Sequence, residues 1–229
     1  MSARDVMLGK IRRSLHVDGG DPGRRAIVIA RLEGAPRSVI PARGQLPREE
    51  RIRLFKAMAE RVAATVVRVA GEEDLPGAVA EYLRGQNLPA TVRMGDDPLI
   101  AGLPWERTQV EIKRGPSDGN DPVGLSHAVA GVAETGTLVL VSGPDNPTTL
   151  NFLPETHIVV VHGDDIAGDY ESVWDRVRER YGKGLMPRTV NMVTGPSRSA
   201  DIAQKLLLGA HGPRRLHIVI LGGRDAQPS

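Results

Sequence analysis

Cysteine is absent from this chain of 229 residues. A disulfide framework is therefore excluded, as is any thiolate-held zinc or iron–sulfur site within it. Aromatic residues are scarce, at 3%, so the core must be built from Val, Ile, Leu and Ala. Such small aliphatics suit parallel strands buried on both faces. No apolar run approaches the ~18 residues a membrane-crossing helix needs. The first fifteen residues carry no continuous apolar stretch of the secretory kind. These absences predict a cytoplasmic protein. Several chemical signatures are also missing: a G-x-G-x-x-G turn after a strand, a G-x-x-x-x-G-K-[ST] phosphate loop and a G-x-S-x-G elbow. His157 and His162 stand without clustered carboxylates or thiols, so no metal site is expected.

What is present divides unevenly. Residues 1–70 hold 15 Lys/Arg against 7 Asp/Glu, and residues 71–229 hold 15 against 21, which gives +8 and −6 and sums to the net +2. A basic front on an acidic body suits either nucleic-acid binding or an arm that docks on the acidic part of its own or a partner chain. The near absence of aromatic stacking residues in the basic part favours the docking arm.

Residues 3–15 have the spacing of a short amphipathic helix, with Val6, Leu8, Ile11 and Leu15 on one side. Residues 17–47 are rich in Gly and Pro and read as a linker or arm, with an apolar stretch at 26–30 that is either helical or extended. A helix is predicted over 48–63. Strands follow at 65–69, 90–94, 109–112, 136–142, 157–161, 189–194 and 216–221. Helices are predicted at 75–83, 169–181 and 200–208. The alternation predicts an α/β fold with a mostly parallel sheet and helices on both faces. The run at 136–142 would be a central strand. An N-terminal arm over 1–47 would precede an α/β domain over 48–229.

Four segments carry groups capable of chemistry. Glu134, Thr135, Gly136 and Thr137 sit at the threshold of an apolar strand. Burial there would suit Glu134 to acid–base or nucleophilic work, whereas a structural turn would have it cap amides or pair with an Arg. Ser142 and Gly143 open a strand-exit loop able to present N–H groups to an anion. Gly195, Ser197, Arg198 and Ser199 form a similar loop, in which Arg198 adds a guanidinium fork for a carboxylate or phosphate. His211 follows a Gly209 suited to a helix end, and is either a proton carrier at a site mouth or structural.

Taken together, four ordered blocks resemble the LUD domain family of lactate utilization proteins. They are Ala133-Glu134-Thr135-Gly136-Thr137-Leu138-Val139, Leu153-Pro154-Glu155-Thr156-His157-Ile158, Gly195-Pro196-Ser197-Arg198-Ser199-Ala200-Asp201 and Gly209-Ala210-His211-Gly212-Pro213. The resemblance spans about residues 123–220. It implies a NagB/RpiA/CoA-transferase-like fold and a role in oxidising L-lactate to pyruvate beside iron–sulfur partner subunits. The clusters would sit on a partner, because this chain has no cysteine. The chain would then be an accessory component that binds its partners and a small anionic ligand, as a homo-oligomer or within the complex. By fold analogy alone, Glu134 would match the carboxylate on which CoA transferases form a thioester. That leaves a second reading, a stand-alone transferase or isomerase.

Overall fold

The computed structural model describes residues 2–18, 20–200, 206–208 and 211–222. Its centre is a six-stranded, all-parallel sheet. In chain order the strands are β1 (Thr65–Val69), β2 (Thr91–Met94), β3 (Glu111–Arg114), β4 (Val123–His127), β7 (Thr156–His162) and β12 (Arg215–Leu221). They lie in the order β1-β12-β7-β4-β2-β3. β7 and β4 occupy the middle, and β12 lies on the other side of β7, with Ile158 opposite His217 and Val160 opposite Val219. The strand at 123–127 escapes a sequence reading because Gly124 and Ser126 interrupt its apolar run.

Side chains along these strands alternate between two cores, as the two-residue period of a strand requires. Ile158, Val160, Val219 and Leu221 face one way. There they meet Leu75, Val79 and Leu83 of α4 (Leu75–Gly85), together with Ile100 of the short helix α5 (Pro98–Ala101). Val159, Val161, Ile218 and Ile220 face the other way. They meet Ile52, Phe55 and Ala59 of α3 (Arg48–Arg61), which recur at helical spacing.

That second face is also covered by a four-stranded sheet. β5 (Ala130–Val132), β6 (Thr137–Val141), β8 (Ile166–Ala167) and β9 (Val190–Val193) lie in the order β8-β5-β6-β9. The apolar run of β6 therefore does not join the parallel sheet. It pairs antiparallel with β5 and β9. It reads as a central parallel strand because it is buried on both faces: Leu138 and Leu140 point to the larger sheet, and Val139 points to α6 (Tyr170–Tyr181) through Val173. The layers thus run α4/α5, parallel sheet, antiparallel sheet with α3, and α6.

Ala200 and Leu206–Leu208 are extended where a helix is predicted over 200–208. β10 (Arg198–Ala200) pairs antiparallel with β11 (Leu206–Leu208), so cross-strand pairing overrides local helical spacing. Residues 201–205, including Asp201, and residues 209–210 lie outside the described residues.

The N-terminal segment holds α1 (Ala3–Ser14) and α2 (Pro22–Gly34). The Gly/Pro-rich stretch hides α2 because its breakers sit at the helix ends. Asp21 caps the helix, Pro22 starts it and Ala35 ends it in the left-handed region. Residues 36–47 then lie along the body. Arg37 pairs with Asp175, the Ser38 amide donates to Glu171, and Gln45 donates to Asp169 at 2.8 Å. The basic arm docks on the acidic part of its own chain. Its tightest contact is backbone on backbone, since a Cβ at Gly44 would lie 2.1 Å from the Gly168 carbonyl oxygen.

Candidate functional site

The β5–β6 hairpin turn carries Glu134, Thr135 and Gly136. Gly136 has φ +68°, and a Cβ there would lie 2.4 Å from the Ala59 backbone nitrogen, so only glycine lets this turn press against α3. Glu134 is 4% exposed. Its amide donates to Gly168 O at 3.2 Å, and its carboxylate lies 3.8 Å from Arg43 of the arm. The arm and the Gly168 backbone close this carboxylate off from solvent.

Beside it four hydroxyls meet. Thr137 Oγ1 lies 2.7 Å from Thr135 Oγ1, 2.9 Å from the Tyr170 hydroxyl and 2.7 Å from Thr194 Oγ1. With Thr135 Oγ1 also 3.0 Å from the Tyr170 hydroxyl, Thr135, Thr137 and Tyr170 close a ring of bonds, and Thr194 adds one more to Thr137. The cluster fixes the Glu134 turn to α6 and to the loop that follows β9.

That loop forms one wall of a cavity of about 280 Å³. Gly195, Ser197, Arg198 and His211 all line it, so four predicted positions from two distant segments converge. Gly195 has φ +77° and packs against Val62, where a Cβ would lie 2.5 Å from the carbonyl oxygen. The Ser197 amide donates to Pro213 O at 2.9 Å, and Ser197 Oγ accepts weakly from the His211 amide at 3.4 Å. Arg198 and His211 are exposed at the rim. Ser199 lies in β10 opposite Leu207. Ser142 and Gly143 sit elsewhere, at the far end of β6, about 17 Å along the strand from Thr137. Ser142 Oγ accepts from the Thr189 amide at 2.9 Å, and Gly143 and Asn146 exchange backbone bonds.

The same cavity is lined by Asn151, which the sequence does not single out, and by His157, which it weighs only as a metal ligand. With Ser126 they form a buried network: His157 Nε2 lies 3.0 Å from Ser126 Oγ, which donates to Asn151 Oδ1 at 3.1 Å. The proton positions follow from valence. An amide oxygen only accepts, so Ser126 gives its one hydrogen to Asn151 and must accept from His157. Nε2 then carries the hydrogen and Nδ1 is a bare acceptor. His157 Nδ1 and Asn151 Nδ2 are both buried without a partner, leaving one acceptor and one donor in the cavity wall. This is not a nucleophile-activating arrangement, because the histidine faces the serine as a donor and cannot take its proton. Burial also pushes the His157 imidazole down to about 3, so it is neutral near pH 7. A single signal pointed to it: a histidine inside an otherwise apolar strand.

Among the described residues, no group of three or more His, Asp or Glu side chains is placed to hold a metal ion. No helix among them is long and apolar enough to cross a membrane.

A parallel sheet backed by a second antiparallel sheet, with a Gly-Thr hairpin and a Gly-Pro-Ser-Arg loop meeting at their junction, defines a particular class of α/β protein. The chain belongs to the LUD domain family, whose model matches residues 52–221. It is 36% identical over 103 residues to lactate utilization protein C of Geobacillus sp. and 34% identical over 103 residues to that of Bacillus subtilis, in each case over 44% of this chain and 43% of the relative. The match thus spans under half the length of these curated relatives. A longer match, 28% identical over 184 residues, covers 76% of this chain and 78% of lactate utilization protein C of an Exiguobacterium species. In fold the chain is similar to a crystal structure of a DUF162 family protein from Deinococcus radiodurans, with TM-score 0.57 and 24% identity over 77% of this chain and 99% of that one.

Proposed function

We propose that this chain is the cluster-free component of an iron–sulfur system that converts L-lactate to pyruvate, binding its partner subunits and a small anionic ligand. The reading is carried by the convergence of Ser197, Arg198 and His211 on one cavity in a chain whose relatives bear the lactate utilization name. Arg198 offers a planar fork to a carboxylate at the rim. Deeper in, the Asn151 amide and the bare His157 nitrogen offer a donor and an acceptor. A chain without cysteine has no thiolate to hold a cluster, which supports a place beside the electron path. The closure of Glu134 beneath Arg43 favours a binding role over covalent transfer through that carboxylate. Affinity capture of the tagged chain from its host grown on lactate tests the reading. A cysteine-rich iron–sulfur protein should co-purify, and deletion of the gene should slow growth on lactate. Normal growth with no such partner would overturn it.

A further inference from the structure

The carboxyl ends of the parallel strands carry a second group of polar side chains, remote from the Gly195 loop. β4 ends at His127, β7 at His162, and Asp97 follows β2. In open parallel sheets this is the edge at which ligands are held. Asp97 is fixed in place. Its Oδ1 accepts from the Leu99 amide at 3.0 Å, and its Oδ2 lies 3.1 Å from His127 Nδ1. A carboxylate only accepts, so Nδ1 carries the hydrogen, and in the neutral ring Nε2 holds the lone pair. Nε2 is buried and has no partner.

His127 lines a cavity of about 500 Å³. Val129, Val173 and Val177 give it an apolar lining, and α6 contributes Arg176 and Arg180. The two arginines differ in their engagements. Arg176 donates to Asp165 and to the Asp164 carbonyl, each at 2.9 Å. Arg180 has no hydrogen bond or ion pair to any described residue, and its guanidinium carbon lies over the Tyr181 ring, 5.8 Å from the centroid. The acidic side chains of Asp165 and Glu179 also reach the cavity, Asp165 committed to Arg176 and Glu179 exposed. One guanidinium fork with its hydrogen-bond donors free, one oriented imidazole acceptor and a valine wall therefore share one cavity.

We propose that this cavity binds a small 2-hydroxy carboxylate, with the carboxylate on Arg180, the hydroxyl donating to His127 Nε2 and the short alkyl group against the valines. Asp97 is a positioning residue that sets the His127 tautomer. The choice of a hydroxy acid rests on the lactate role proposed above, whereas the site itself rests on the geometry.

Calorimetric titration of the full chain with L-lactate and with propionate, which lacks the hydroxyl, tests this. Lactate should bind saturably and propionate at least tenfold more weakly, because a site built around a hydroxyl rejects an analogue without one. Arg180→Ala and His127→Leu should each weaken lactate at least tenfold, and Arg84→Ala, which lines a different cavity beside α4, should not. Asp97→Asn should shift the His127 imidazole ¹⁵N resonances towards the other tautomer, and Asp97→Glu should restore them. Arg180 is exposed, so its variant folds and keeps the test decisive if His127→Leu does not. The proposal is overturned by absent saturable binding, by equal affinity for propionate, or by full affinity in Arg180→Ala. Loss of binding in Arg198→Ala with Arg180→Ala intact also overturns it and leaves the Gly195-loop site standing. Failure to capture an iron–sulfur partner bears on the proposed function and not on this cavity.

Discussion

Two histidines in the parallel sheet make stability depend on pH in a defined window. Burial lowers the His157 imidazole from 6.5 to about 3 and that of His217 to about 4. His217 is stacked on Tyr82 with ring centroids 3.8 Å apart, and its Nδ1 lies 2.8 Å from the Thr65 hydroxyl. Below pH 6.5 the unfolded chain takes up protons that the folded chain refuses. The contribution is therefore complete above pH 6.5 and shrinks as pH falls, by about 1.4 kcal/mol per pH unit for each ring until its folded value is reached. Asp97 acts in the same sense. Burial pushes its carboxyl up, but the His127 hydrogen bond and charge, the Leu99 amide and Arg180 outweigh this and hold it below the usual 3.8. Its effect begins only at lower pH, which leaves the interval from 6.5 to 5 to the imidazoles. Urea unfolding should show a lower free energy at pH 5 than at pH 7, and the difference should shrink in His157→Gln and His217→Gln. A double variant with the wild-type slope would refute the assignment. Gly136→Ala combines a positive φ with a 2.4 Å clash against Ala59 and should cost about 3 kcal/mol or more. A thermal melt within 2 °C of wild type would contradict that.

At the scale of elements, the arm is held by a few exposed ion pairs and one tight seam. Surface pairs such as Arg37–Asp175 contribute little individually, so the Gly44–Gly168 approach sets the register. Gly44→Ala should lift residues 36–47 off the body and uncover Glu134 without unfolding the sheets. Limited proteolysis should then cut the arm, while far-ultraviolet circular dichroism stays unchanged. An arm as protected as in the wild type would count against the seam. The sequence revealed most strands because β-branched runs such as Thr65–Val69 announce themselves. It concealed β4, where Gly124 leaves room for Pro154 and the Leu150 carbonyl, which would lie 2.8 and 2.9 Å from a Cβ. Continuous apolarity in β6 reported two covered faces, which an antiparallel strand inside a four-layer stack satisfies as well as a parallel one. The Gly195–Arg198 loop was legible from its own residue types. The Ser126–His157–Asn151 network was not, since it joins residues 25 and 31 positions apart and exists only once β4 and β7 lie side by side. The Asp97–His127 pair escaped for the same reason.

For the whole molecule, α1 and α2 stand apart from the packed layers. Neither buries a residue, and Met7, Leu15, Ile27, Val28 and Leu32 are more than half exposed. Removal of residues 1–34 should therefore change the unfolding free energy by less than about 1 kcal/mol, as chemical denaturation would show. A loss of several kcal/mol would mean that these helices support the fold rather than present a surface. The opposite end of the described chain has a different standing. β12, nearly the last segment described, runs between β1 and β7 and pairs with both over its length. During synthesis on the ribosome β1 and the block β7-β4-β2-β3 thus wait apart, with the apolar edges of β1 and β7 uncovered, until residues 215–221 clear the exit tunnel. A nascent chain stalled before that point has no strand to join β1 to β7, and such open strand edges are what chaperones capture and aggregates recruit. The newborn protein depends on β12 in a way that the finished one no longer reveals.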